Sequence, residues 1–477
     1  MSPSTFHEMS CTISEIRLER YSNPVGVQHC APRISWSYEG DHRDWTQIEY
    51  EMKTNGRRSD DTTKVKSGES IYVPWAFPPL TSRESFELSV RARSSGQCWT
   101  DWKTQEVECA LLSEEDWKAG VTHGPWQERG CRKRPFLLRR SFSIPKCASG
   151  RLYVSALGLY EVSINGQTIG DHVLSPGWQS YNHRLHYQMF DVTSVLRSGH
   201  NELQAWIGEG WYAGRFGWGG GKYDIYGSDI GLIGQLEVDG EIVMRTGDEG
   251  WEYAFGEIVS GELYDGAEVD YRYGTEYRNW LPARRSKLPP AQLIAPEAPP
   301  VRRQERLPAI GVIRSPSGKT IFDFGQNLVG WIRFSGSPPD GSTIVLRHAE
   351  VLENEELGTR PLRDCKATDT VHVQKGSELV GWEPKFTFHG FRYVEVTGWH
   401  GIELNSITAV VIHSDMKRLG DFECSHRGLT QYHLNTLWSI KGNCVSVPTD
   451  CPQRDERMGW TGDLQVSHPM LPFLLTY

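Results

Sequence analysis

The sequence predicts a mainly β protein, three successive β-sandwich domains, that turns helical over about its last fifty residues. Three observations carry this. Short runs with apolar residues at alternate positions recur from Cys11 to near Asp415, separated by turns rich in the chain's 48 Gly and 26 Pro. At 477 residues the chain exceeds what one hydrophobic core organises, so several domains are expected. After Phe422 the apolar period lengthens from two toward 3.6.

Taken in order, RISWSY, TQIEYEM, ESIYVPW, ESFELSVRAR and QEVECALL read as strands of a small fibronectin-like or immunoglobulin-like sandwich over residues 1–112. SEEDWKAG follows with a Ser cap and an acidic first turn, the signature of a short helix. A second, larger sandwich is expected over 113–283, where Asn165-Gly166 between alternating apolar residues marks a tight hairpin. Residues 284–311 read as a strap or linker, because proline removes donors and fixes extended backbone. TIFDFGQN, GWIRFSG, STIVLRHAEVL, DTVHVQK and FTFHGFRYVEVTG predict a third sandwich over 312–418. In the remaining segment, 419–477, Leu434, Leu437, Trp438 and the stem of Lys441 fall on one helical face, and Pro448 and Pro452 open a loop after it.

Charge narrows the partners. With 51 Lys+Arg against 60 Asp+Glu the net charge is −9, which disfavours nucleic acid or an anionic membrane as the main ligand. No apolar run spans a bilayer and no leader-like segment opens the chain, so neither secretion nor anchoring is expected. The ten cysteines are scattered without a CxxC pair; reduced thiols and a cytoplasmic location are the expectation. Eighteen Trp and 19 Tyr offer flat faces that suit sugar rings and β-domains alike.

The densest chemistry lies between Asp450 and Asp463, where four carboxylates and two guanidiniums fall within fourteen residues beside Trp460. A solvated surface loop is the bland reading of such a run. Glycoside hydrolysis is the sharper one, since it needs a carboxylic acid for the leaving oxygen, groups that hold hydroxyls, and an apolar face under the ring. Crowded carboxylates raise one another's pKa, which would keep one protonated, while Arg454 and Arg457 would hold the others ionised. Spacing alone does not say which carboxylate is the acid.

PTDCPQRDERMGWTGDLQ, residues 448–465, resembles the hallmark motif of glycoside hydrolase family 78, the bacterial and fungal α-L-rhamnosidases. LYVSALGLYEVSINGQTIGDHVLSPGW, GEGWYAGRFGW, DFGQNLVGW, HAEVLE, FTFHGFRYVEVTG and NTLWSIKGNCVSVPTD resemble the same family in the same order, so the likeness covers nearly the whole chain. It implies a carbohydrate-binding-like second sandwich, a concanavalin-like third, and the first helices of a six-hairpin (α/α) barrel. It also implies Glu456 as general acid, Asp450 and Asp463 on the rhamnose hydroxyls, Arg454 beside them, and Trp460 packed on the sugar. The family inverts the anomeric centre with a base far downstream in the barrel, so the resemblance implies that this chain lacks its base and is inactive or nearly so alone. No cofactor is implied, and the expected partner is a rhamnose-containing glycoside. Met458 stands where leucine is usual, a swap that conserves volume.

Other signals are weaker. GEGWYAGRFGWGGGKYDIYG is either a plain sandwich loop or one that meets sugar or the barrel face, and GWGGGK lacks the phosphate-loop frame. DFGQN is expected as a structural turn, His348 and His389 as core or rim histidines. Some sugar-binding sandwiches attached to the family this chain resembles hold calcium, and Asp224, Asp265 and Asp270 are read as lying in suitable loops, but nothing fixes a ligand geometry and no metal is expected. The rival from another class is a non-catalytic carbohydrate-binding protein that uses Trp211 and Trp218. The segment 466–477 is expected to be an exposed apolar liability.

Overall fold

The computed structural model describes residues 11–21, 24–40, 44–57, 61–96, 98–272, 274, 278–469 and 471–476. Strand outweighs helix 46% to 9%, as the alternating pattern predicted. Two compact units result: residues 1–118 with 187–189 and 292–298, and the remainder of the chain.

In the first unit, Cys11–Leu18 pairs antiparallel with Ile34–Gly40, and a second sheet runs in the order Val25–Val27, Lys103–Cys109, Ser85–Ser94, Gln47–Asn55, Thr62–Val65. Alternate residues point inward, so Ile16, Leu18, Met52, Leu88 and Val90 are buried, with Trp36 edge-on to Tyr50 at 5.0 Å. ESIYVPW is not a strand: only Val73 bridges Ile34, because Tyr72 turns to φ 50° and Pro74 has no donor. The helix expected at SEEDWKAG is a single 3-10 turn, Glu114–Asp116. Its capping box is closed, since Ser113 Oγ accepts from Glu115 N while Asp116 accepts from Ser113 N.

The second unit carries the remaining sheets. Gly150–Leu157 pairs with Gly231–Val238, which pairs onward with Val121–His123. The facing sheet runs Gln167–Thr168, Leu159–Ile164, Gly199–Gly208, Phe136–Ile144, Glu252–Ala254, Leu281–Pro282. Phe136, Leu138, Leu152, Val154, Ile207 and Leu236 are buried in their common core. Asn165 and Gly166 take φ 53° and 82°, the hairpin geometry their pairing predicted.

A ten-stranded sheet follows, built around Thr320–Gly336 and His389–Thr397. Two of its members depart from the sequence reading. The hairpin Ile258–Glu262 and Gly266–Asp270, placed by the sequence in the second sandwich, joins this sheet through parallel pairing of Gly266–Asp270 with Thr368–His372. The proline-rich strap is not a bare linker: Arg284–Ser286 pairs with Val121–His123, and Val301–Pro308 forms an edge strand on Ile407–Ser414. Sheet edges accept such segments because only one side of the strand needs donors. DFGQN is a bulge inside Thr320–Gly336 rather than a turn, with the register shifting between Asp323 and Leu328 and Gly325 at φ 81°. Gly330 has φ 154°, and a Cβ there would lie 1.8 Å from the Val410 carbonyl, so only glycine lets this strand lie against Ile407–Ser414.

The helical segment comprises Arg427–Asn443, Thr461–Ser467 and Leu471–Leu474. Its small core joins Leu437 and Ile440 to Met416, Cys444, Leu471 and Leu475, whereas Leu434, expected on the buried face, stays exposed. Leu471 and Leu475 thus cover part of the apolar tail, leaving Val466 and Phe473 exposed. No helix among the described residues is long and apolar enough to cross a membrane.

Candidate active site

Helix Arg427–Asn443 ends where Cys444–Val445 and Val447–Pro448 form a two-residue hairpin about Ser446, at φ 70°. Ser446 Oγ accepts from Trp178 N of the second sandwich at 2.9 Å, which anchors the start of the loop. The loop then closes on itself, since Asp450 N donates to the Met458 carbonyl and Met458 N to Asp450 Oδ1 at 2.8 Å. That closure brings residues eight apart side by side.

Glu456 lies at the centre. Its backbone takes φ 127°, a conformation costly for any residue with a side chain. The surroundings enforce it: Glu456 bridges Gly217, and the Tyr264 hydroxyl donates to the Glu456 carbonyl at 2.7 Å while accepting from Gly217 N at 3.1 Å. Tyr264 is fully buried, so this clamp is a rigid one. The Glu456 carboxylate accepts from Arg363 Nη1 at 3.0 Å and Arg454 Nη2 at 3.0 Å on Oε2, and from Trp460 Nε1 at 3.1 Å on Oε1. Arg454 also reaches Asp450 Oδ2 at 3.4 Å.

The electrostatics differ from the expectation that crowded carboxylates raise the acid's pKa. Partial burial pushes the Glu456 carboxyl up, but hydrogen bonds from Trp460 and Arg363 and the Arg454 charge outweigh it, leaving the group below its ordinary value. Donors rather than carboxylates ring this oxygen pair, and that reverses the sign. Arg457 departs too. Rather than holding carboxylates ionised, its buried guanidinium donates to the carbonyls of Leu263 at 2.7 Å, Phe388 at 3.0 Å and Gln453 at 3.3 Å. It is a structural pin for the loop.

Asp450, Arg454, Glu456 and Trp460 are therefore brought together. Asp463 sits apart from that bonded cluster, exposed on the first turn of Thr461–Ser467. Asp455 is fully buried, and neither of its carboxylate oxygens has a hydrogen-bond partner among the described residues. Asp450, Cys451 and Glu456 offer ligand atoms within 4.8 Å of one another. Arg454 already binds both carboxylates, however, and burial pushes the Cys451 thiol up to about 12, so this trio presents a proton rather than a thiolate. The aspartates weighed for calcium are each spent on a cation: Asp224 on Lys133, Asp265 on Arg215, and Asp270, which ends the strand Gly266–Asp270 rather than lying in a loop, on Arg272.

Two contributors escaped the sequence reading: Arg363 and Tyr264. They come from loops distant in sequence, and PLRDC or GELYDG carries no mark of a site. The Gly/aromatic stretch does meet the loop, and Trp218 lies 5.8 Å from Trp460, tilted by 32°. Trp211, which the binding-protein reading paired with Trp218, is a core residue instead.

Four family profiles match along the chain: an N-terminal immunoglobulin domain at 13–113, the α-L-rhamnosidase N-terminal domain at 145–305, the bacterial α-L-rhamnosidase concanavalin-like domain at 313–413, and the bacterial α-L-rhamnosidase six-hairpin glycosidase domain at 417–476. An α-L-rhamnosidase of Streptomyces avermitilis is 42% identical over 71% of the chain and 34% of its own length. One from Formosa agariphila is 31% identical over 98% of the chain and 55% of its own length. Among solved structures, the α-L-rhamnosidase of Aspergillus terreus superposes with a TM-score of 0.93 at 43% identity, covering 98% of this chain and 56% of that one. The Streptomyces avermitilis enzyme complexed with L-rhamnose gives 0.90 at 27% identity, covering 98% and 64%. The chain spans about half the length of the curated relatives it matches across nearly all of its own length.

Proposed function

Because the chain belongs to the α-L-rhamnosidases of glycoside hydrolase family 78, we propose that it supplies the acid half of an inverting hydrolysis of terminal α-L-rhamnose from rhamnosides. The observation that carries this reading is the convergence of Arg454 and Trp460 on the Glu456 carboxyl within one clamped loop, with Arg454 also reaching Asp450. Glu456 hands its proton to the departing glycosidic oxygen. Asp450 and Asp463 accept from rhamnose hydroxyls, Arg454 donates to them, and Trp460 packs against the apolar side of the deoxy sugar. The base is a second carboxylate, about 6.5–9.5 Å away on the opposite face of the sugar.

The lowered Glu456 pKa fits this division. Held by Arg363, Arg454 and Trp460 the group rests ionised, and a facing anionic base lifts it toward the value an acid needs. The chain alone is accordingly expected to release little rhamnose from p-nitrophenyl α-L-rhamnoside. A protein with the whole glycosidase domain is expected to hydrolyse it, with β-rhamnose appearing first by proton NMR. On a rhamnoside with an alkyl leaving group, which needs full protonation, Glu456→Gln is expected to lower turnover about 10²–10⁴-fold. Unchanged turnover in that variant would remove the reading.

A further inference from the structure

Trp218 has no role in the chemistry described so far, yet it is 55% exposed at the tip of a loop clamped to the acid. The clamp is direct, because the preceding residue, Gly217, is the one that bridges Glu456 and donates to Tyr264. Gly219, Gly220 and Gly221 follow at φ 64°, 81° and 65°, a succession that residues with side chains rarely adopt. The turn therefore holds the indole out rather than letting it fold into the second sandwich.

The neighbouring ring fixes what the indole can do. Trp460 is 43% exposed, and its Nε1 points at Glu456 Oε1, so its edge marks the place where the proton is delivered. With ring centroids 5.8 Å apart and 32° between planes, the pair cannot take a ligand ring between them. That would need about 7 Å, twice a contact distance of ~3.5 Å. The two exposed indoles instead lie against each other beside the acid. A group that protonates a glycosidic oxygen stands at the junction of sugar and leaving group, so two indoles beside it are placed to meet the two halves of the substrate.

We propose that Trp218 is the leaving-group platform of this site, on which a flat aromatic aglycone stacks while Trp460 lies against the rhamnose. The proposal rests on the rhamnosidase reading above. An aromatic aglycone is favoured over a second sugar because Gly217, Gly219, Gly220 and Gly221, which flank the indole in the chain, bring no side-chain donor or acceptor to it, and a pyranose needs such partners for its hydroxyls. Trp218 thus sets specificity and leaves the proton transfer itself to Glu456.

The test uses the chain as it stands, with 15N-indole-labelled tryptophan and signals assigned through Trp218→Phe and Trp460→Phe. Three probes are titrated: methyl α-L-rhamnoside, phenyl α-L-rhamnoside and a methyl rhamnosyl-glucoside. The expected result is that the methyl rhamnoside moves the Trp460 signal alone and the phenyl rhamnoside moves both. The phenyl compound is expected to bind roughly three- to tenfold more tightly, an advantage lost in Trp218→Ala. Trp460 responding with Trp218 silent toward the phenyl probe overturns the proposal alone. Equal movement of Trp218 by the rhamnosyl-glucoside overturns the aromatic class. Silence of Trp460 toward all three overturns the rhamnose site, and the proposal with it.

Discussion

Glu456 combines a backbone at φ 127° with a carboxylate bound by Arg363, Arg454 and Trp460, and each feature has a consequence that can be measured. Its folded pKa lies below the ordinary 4.5, so its contribution to stability is present above that value and is lost as pH falls through the folded one. Arg363→Gln removes one donor and one positive charge. In this chain the Glu456 carboxyl, followed by 13C NMR, is expected to titrate at higher pH than in the parent. In a protein with the whole glycosidase domain the alkaline limb of the kcat/KM profile is expected to move up with it, since that limb reports the acid. An unmoved midpoint would mean that Arg363 does not govern the acid. Asp450, Arg454, Glu456 and Trp460 could be nominated from the motif because they lie within eleven residues. Arg363 and Tyr264 could not, because their approach depends on how two sheets fold back, and no local spacing encodes that.

At the scale of elements, the loop 449–460 is held by Arg457, whose guanidinium lies over Phe388 at 4.6 Å and Tyr264 at 5.0 Å while its nitrogens reach four carbonyls, those of Leu263, Phe388, Gln453 and Arg454. Replacing it by Met keeps much of the volume and strands those carbonyls. Arg457→Met is expected to cost about 2–4 kcal/mol and to lower the denaturation midpoint of the larger unit, read by chemical unfolding. A cost under about 0.5 kcal/mol would show that the pin is dispensable. The charge pattern around Arg457 invited the opposite role, that of a partner for loop carboxylates. Burial decided otherwise, since a desolvated guanidinium with five donors takes the acceptors nearest to it, and here those are backbone oxygens.

On the scale of the whole molecule, the ten-stranded sheet buries a polar group of three: His348 and His389, stacked at 4.1 Å, with Asp369 bonded to His389 at 3.1 Å. Burial first, and then the neighbouring His389, lower the His348 pKa to about 3. The unfolded chain therefore takes up a proton below pH 6.5 that the folded one refuses, so this stabilisation is complete above 6.5 and is lost as pH falls toward 3. The slope approaches about 1.4 kcal/mol per pH unit for this group. His348→Gln is expected to flatten the fall in stability between pH 6 and 4 when denaturant midpoints are compared, and an unchanged slope would clear His348 of the effect. What the sequence by itself determined was the β class, the Asn165-Gly166 hairpin, the helix after Phe422 and the identity of the motif, all set by period, turn chemistry or adjacent residues. Only the tertiary structure decided that Ile258–Asp270 and Val301–Pro308 join the ten-stranded sheet, that Arg363 and Tyr264 hold Glu456, and that the pKa of its carboxyl is lowered. The reason is common to all of these: sheet pairing and the field at a carboxylate depend on which distant groups arrive beside it, and chain order does not record that distance.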